Sequence, residues 1–244
     1  MLRSRVIPSL LIEKGGLYKT EKFTNPKYVG DPINAVKIFN EKNVDELSIF
    51  DIGASKYGIN FVLLERIAKE AQMPLLYGGG VQSASDARRL LQMGYEKISL
   101  NTSFLDNPNI LMSIAQAIGS QSVVVSIDVK KGNFGGYKVF KNRGNLKVHL
   151  TLKEILKSID FRSVGEVLIN NISRDGTQLG IDVELIEMVR PLVPVHLTVL
   201  GGLSGPSEIN DLTEKYYPIG IAGGACFTFK GPYKAVLLNY YRPK

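Results

Sequence analysis

Short apolar runs and longer amphipathic stretches alternate along the chain. Runs at 6–10, 47–51, 75–77, 97–100, 123–128, 166–170, 196–200 and 219–222 are rich in Val, Ile and Leu, and each predicts a buried strand. Between them, apolar residues recur every three or four positions, as at 84–93 and 152–159, which predicts helices. Helix starts are marked. Asp31-Pro32 supplies an N-cap followed by proline at the first helical position, and Thr151-Leu152-Lys153-Glu154 reads as a capping box. Eight strand–helix units predict an α/β fold, a closed (βα)8 TIM barrel rather than an open sheet.

The pattern also repeats at half the chain length. Gly79-Gly80-Val81 returns as Gly201-Gly202-Leu203 and Gly58-Ile59-Asn60 as Gly180-Ile181-Asp182, both 122 residues later. Glu46-Leu47-Ser48-Ile49 returns as Glu166-Val167-Leu168-Ile169 after 120. Such self-similarity predicts two half-barrels of four units each. One position breaks it: Asp128 in the second half corresponds to Leu11 in the first.

Composition narrows the picture. A length of 244 residues suits one barrel, so residues 1–244 are expected to form a single domain. No window approaches the ~18 apolar residues of a membrane span, and no secretory leader is expected. One cysteine, Cys226, excludes an internal disulfide and fits a reducing cytoplasm. Two histidines and that cysteine argue against a zinc site, and no cofactor is implied. His149, expected in a loop, and His196, at a strand start, read as structural. The net charge is +7, but the Lys and Arg residues look scattered, without a basic run or an aromatic-interleaved stripe. Phosphorylated small molecules or an acidic partner fit that charge better than nucleic acid.

Ligands meet a barrel at the C-terminal ends of its strands. Gly79 and Gly80 follow strand three, and Gly201 and Gly202 follow strand seven. Glycine there lets backbone N–H groups approach an anion, with a helix N-terminus behind. Asn101 and Thr102 after strand four, and Gly223 and Gly224 after strand eight, complete two equivalent anion sites, which suits a ligand with a phosphate at each end. Asp128 is expected to end strand five and to act as an acid–base group. Asp51 ends strand two, Asn170 and Asn171 end strand six, and Asp175, Gly176 and Thr177 lie in the following loop. Lys19 is expected on a long loop after strand one, either neutralising a phosphate or simply exposed.

Arg5-Val6-Ile7-Pro8, Asp45-Glu46-Leu47, Gly78-Gly79-Gly80, Asp86-Ala87-Arg88-Arg89-Leu90-Leu91, Gly119-Ser120-Gln121 and Ser173-Arg174-Asp175-Gly176-Thr177 together carry a family resemblance. Over nearly its full length the chain resembles the cyclase subunit (HisF) of imidazole glycerol phosphate synthase. The resemblance implies a partner glutaminase (HisH-like) whose ammonia passes along the barrel axis to a bis-phosphorylated ribulosyl substrate. It implies two catalytic aspartates ending strands one and five. Asp128 matches the second, and Leu11 replaces the first. Arg5, Glu46, Lys97 and Glu166 match the family's ring of four charges at the bottom entrance, the ammonia gate, and Glu96 matches an acidic position used against the glutaminase. A family cysteine is Ser9 here, and family serines fall on Leu200 and Ala225.

Three readings follow. The first is a paralogue that docks a glutaminase and binds or acts on a phosphorylated ligand but serves a different ammonia acceptor, in surface-polysaccharide sugar amidation beside an ATP-dependent amidotransferase. The second is a genuine cyclase of histidine biosynthesis. The third is a non-catalytic conduit that activates its glutaminase.

Overall fold

The computed structural model describes residues 3–132 and 135–242. Eight parallel strands close on themselves: β1 (Arg5–Glu13), β2 (Leu47–Asp51), β3 (Leu75–Gly78), β4 (Lys97–Leu100), β5 (Val123–Lys131), β6 (Glu166–Asn171), β7 (His196–Leu200) and β8 (Gly220–Gly223). Pairing runs in chain order, and β8 returns to β1 with Arg5 opposite Gly220. The barrel is closed, as the alternation predicts.

Outer helices connect the strands: α1 (Pro32–Glu41), α2 (Phe61–Glu70), α3 (Ala84–Gln92), α4 (Ile110–Ile118), α5 (Leu152–Ser158), α6 (Val183–Val189) and α7 (Pro206–Tyr216). Their starts follow local chemistry. Asp31 accepts from the Asn34 amide with Pro32 inside the helix, and Thr151 and Glu154 form the reciprocal capping box. The half-barrel repeat is visible here too. Asn60 caps α2 and Asp182, 122 residues on, caps α6.

Most buried apolar residues lie between sheet and helices. Inside the barrel a separate small cluster holds Leu76, Val124 and Leu168 against Phe50 and Leu200. Register places Ser9, Ser48, Ser99, Ser126 and Thr198 on that same inner face, all buried. Packing at Gly220 leaves no alternative to glycine, since a Cβ there would lie 1.9 Å from the Thr198 hydroxyl.

Two strands run on beyond the barrel. β1 continues into an antiparallel hairpin of Gly16–Glu21 and Thr24–Gly30, and β5 into Tyr137–Lys141 and Leu146–Thr151. Lys19 therefore lies on a strand, not a loop, and it is buried. His149 likewise stands on a strand and is exposed. Asp128 does not end β5. It is the last inward-facing residue paired with β6 before the strand leaves the barrel. Among the described residues, no helix is long and apolar enough to cross a membrane.

Candidate functional site

Asp128 sits at the upper mouth, half-buried and clamped by two amides from neighbouring strands. Asn170 on β6 donates to its Oδ1 at 2.9 Å, and Asn101 at the end of β4 donates to its Oδ2 at 3.2 Å. Asn101 also donates to the Ser126 carbonyl at 3.0 Å, which fixes the amide's orientation. Burial pushes the Asp128 carboxyl up to about 7, although the Asn170 hydrogen bond works the other way. A carboxyl poised there exchanges protons readily near neutral pH.

Leu11 occupies the matching place on β1. Alternation from Arg5 puts Ile7, Ser9 and Leu11 on the inner face, with Leu11 opposite Phe50 of β2. Glu13, on the same face, is one step nearer solvent and lies 3.8 Å from Arg143.

Lys19 brings a cation to the mouth. Its Nζ donates to the Ser9 carbonyl, and it rests against Gly224 where any side chain would collide. Burial lowers its pKa to about 8, against the pull of Asp175. Asp175 itself is pushed up to about 6 by burial, with Lys19 opposing. Lys19 is thus no surface lysine; it joins the β8 end to the loop after β6. In that loop Gly176 has φ +72°, and a Cβ would lie 2.3 Å from the Thr20 carbonyl. Thr177 donates to the Arg174 carbonyl at 2.6 Å, closing the turn. Asp51, half-buried, is pushed up to about 6 by burial while accepting from the Gly53 amide at 2.9 Å.

The glycine pairs are required by packing alone. A Cβ at Gly79 would sit 2.3 Å from the Asp51 carbonyl, and one at Gly201 2.5 Å from the Asn171 carbonyl. Gly80 meets Ala54 and Gly202 meets the Gly180 carbonyl in the same way. The helix ends behind them carry their own anions. Asp86 accepts from the Gln82 amide, and Glu208 accepts from the Ser204 and Ile181 amides. Open helix starts lie instead at Thr102–Asp106 and Ala225–Thr228, where Asn101 and Gly224 make no side-chain cap. Thr102 accepts from the Asn142 amide at 3.1 Å, tying the β5 hairpin to this rim. Gly223 is pressed against Leu203 and Cys226.

Asn171 belongs elsewhere. Its amide donates to Asp182 at 2.7 Å, and Tyr137 donates to the same carboxylate at 2.9 Å. Alternation along β6 turns it outward, a network not foreseen because its partners are distant in sequence.

At the opposite end, the four charges close a ring. Arg5 pairs with Glu46 and, at 3.0 Å, with Glu166. Lys97 reaches Glu46 at 2.7 Å and Glu166 at 2.8 Å. Thr198 donates to the second Glu166 oxygen at 2.5 Å. Burial opposes the Glu166 charge, but Arg5 and Lys97 outweigh it and hold the carboxyl well below the usual range. His196, beside this ring, is pushed down to about 4 by burial and by Arg5. Glu96 is exposed next to Lys97.

A closed barrel with these two ends can be set against known proteins. A family model described as histidine biosynthesis protein matches residues 5–231. The chain belongs to that family. It is 46% identical over 246 residues to a provisionally named imidazole glycerol phosphate synthase subunit, hisF3 of Vibrio vulnificus, covering 100% of this chain and 95% of that protein. It is 43% identical over 242 residues to the similarly named hisF2 of Pseudomonas aeruginosa, covering 98% and 96%. With the imidazole glycerol phosphate synthase subunit HisF of Thermotoga sp. it shares 36% over 204 residues, 83% of this chain and 80% of that one. The chain is therefore a HisF-like synthase subunit, in a family of cyclase-type enzymes.

Proposed function

We propose that this HisF-like chain is the synthase side of a two-component glutamine amidotransferase. A HisH-like glutaminase docks over the ring of Arg5, Glu46, Lys97 and Glu166, and ammonia passes through the barrel to a phosphorylated ligand at the mouth. One contrast carries this reading: all four ring charges are present and engaged, while the inner face of β1 offers Leu11 where a second acid–base group would stand beside Asp128. Burying Glu46 and Glu166 against the partly buried Arg5 and Lys97 is costly even with all four paired, so a ring kept for stability alone is poorly motivated. Between ring and mouth, the buried hydroxyls of Ser9 and Ser48 make no hydrogen bond within the protein, which suits passage of a small polar molecule.

At the mouth, Lys19 and the open turns after β4 and β8 bind phosphate, and Asp128 gives or takes a proton. The acceptor, on the resemblance, is a surface-polysaccharide sugar amidated with the help of an ATP-dependent enzyme. The setting we infer is the cytoplasm.

Retention of Asp128, Asn101 and Lys19 at the mouth favours a second reading, a genuine cyclase that tolerates Leu11. Ammonium-dependent turnover of the bis-phosphorylated ribulosyl substrate separates the two. Negligible turnover in the wild type, restored by Leu11→Asp, supports the paralogue; a wild-type rate typical of cyclases overturns it.

A further inference from the structure

Basic residues that look scattered in sequence are gathered in space. Three stretches of described residues extend over the barrel mouth: 14–30, 129–132 with 135–151, and 229–236. They hold twelve of the thirty Lys and Arg residues but one of the twenty-three Asp and Glu residues, so they carry a formal +11 and the remainder of the chain −4. The segments touch one another. Lys234 lies 3.4 Å from Glu21, and a Cβ at Gly144 would lie 3.2 Å from the Phe23 ring. The Lys22 amide donates to the Asp175 carbonyl at 2.9 Å, seating the first hairpin on the rim.

The same cap exposes large apolar side chains: Tyr28, Leu146, Leu150, Tyr233 and Val236. Strand Leu146–Thr151 pairs on one side only, with Tyr137–Lys141, so its other edge offers unpaired backbone groups. Lys131, Lys141, Arg143 and Lys234 find carboxylates within the chain. Lys22, Lys27, Lys138, Lys147 and Lys230 are exposed and make no ion pair among the described residues.

We infer that this cap is a docking surface for a protein partner with an acidic face, seated over the mouth and opposite to the charged ring. Charge complementarity selects an acidic occupant. Exposed Leu, Val and Tyr supply the apolar centre of a protein interface, with the lysines as its rim. A phosphate-tracking surface would favour Arg, yet eleven of the twelve cations are Lys. Rigid hairpins also lack the amphipathic helix typical of a membrane-surface anchor. A bis-phosphorylated ligand on the barrel axis needs only a few of these charges and none of the apolar groups. The inference goes beyond ammonia transfer and stands whether or not a glutaminase binds below.

The test uses the purified chain and a Lys22→Glu, Lys27→Glu, Lys138→Glu, Lys147→Glu variant verified as folded by circular dichroism. A photo-crosslinking residue at Leu150 captures the neighbour in cells. The captured protein is identified, purified and titrated onto both chains at about 0.15 M salt, beside poly(U) and phosphatidylglycerol vesicles. Expected are an acidic protein captured at Leu150 and affinity roughly tenfold or more weaker for the variant, with poly(U) and vesicles weaker still. Capture of no protein, of a second copy of this chain, or of one that binds both chains equally overturns the inference. Tighter binding of poly(U) or of vesicles does so as well.

Discussion

Asn170 donates its side-chain amide to Asp128 across adjacent parallel strands, at 2.9 Å and in direct register. With Asn101 on the other side, the carboxylate has a donor for each oxygen, yet burial still raises its pKa to about 7. Desolvation outweighs two neutral amides because neither brings a charge.

That shift makes stability depend on pH. The folded chain holds the Asp128 proton up to about 7, whereas an unfolded aspartate releases it near ~3.9. Folded protein binds more protons across that window, so stability falls as pH rises through it. Asp51 and Asp175, both raised to about 6, add to the same slope. Urea denaturation from pH 4 to 8 should show Asp128→Asn more stable than wild type at pH 8, the two midpoints converging near pH 4.

Replacing Leu11 tests the missing half of the mouth. Leu11→Asp places a second carboxylate on the inner face of β1, and acid–base groups contribute ~10²- to 10⁴-fold. Ammonium-dependent cyclisation should rise by about that factor, and Asp128→Asn in the Leu11→Asp background should abolish the gain. Steady-state assays with purified chains measure both.

Breaking the ring should cost stability as well as partner traffic. Glu166→Gln leaves Arg5 and Lys97 sharing a single carboxylate in a buried setting. Removing one partner of such a pair costs ~3–5 kcal/mol. Chemical denaturation should detect that loss, and replacing Arg5, Glu46, Lys97 and Glu166 together with apolar residues should cost less than Glu166→Gln alone.

Gly176 holds the first hairpin to the rim. Gly176→Ala meets the Thr20 carbonyl at 2.3 Å and a left-handed backbone that costs ~1–2 kcal/mol for other residues. The hairpin should lift and expose Lys19. Its amine, now buried with a pKa of about 8, should return toward the ordinary lysine range, as NMR titration would show.

Barrel strands were readable because apolar runs without polar alternation mark a sheet buried on both faces. β2, β4 and β7 match their predicted bounds, and the ring was legible through the family resemblance, its four charges standing at strand starts where they could pair across the axis. The expected bounds of β1 fall one residue short at its start and three at its end, and those of β5 three short at its end. In the hairpin strands that follow them, lysines interrupt the apolar pattern, so Lys19 and His149 looked like loop residues. Asp128 stands out in the sequence, but its clamp by Asn101 and Asn170 depends on strand register, which no local pattern encodes. The glycine pairs were read for anion binding, whereas close backbone approach already demands them.

Titration of a purified HisH-like glutaminase with this chain, following complex formation and glutamine hydrolysis together, is the decisive experiment. One-to-one association with stimulated hydrolysis, both weakened by Glu46→Ala or Lys97→Ala, is the expected result. A glutaminase that neither binds this chain nor responds to it would contradict the proposed passage of ammonia from ring to mouth.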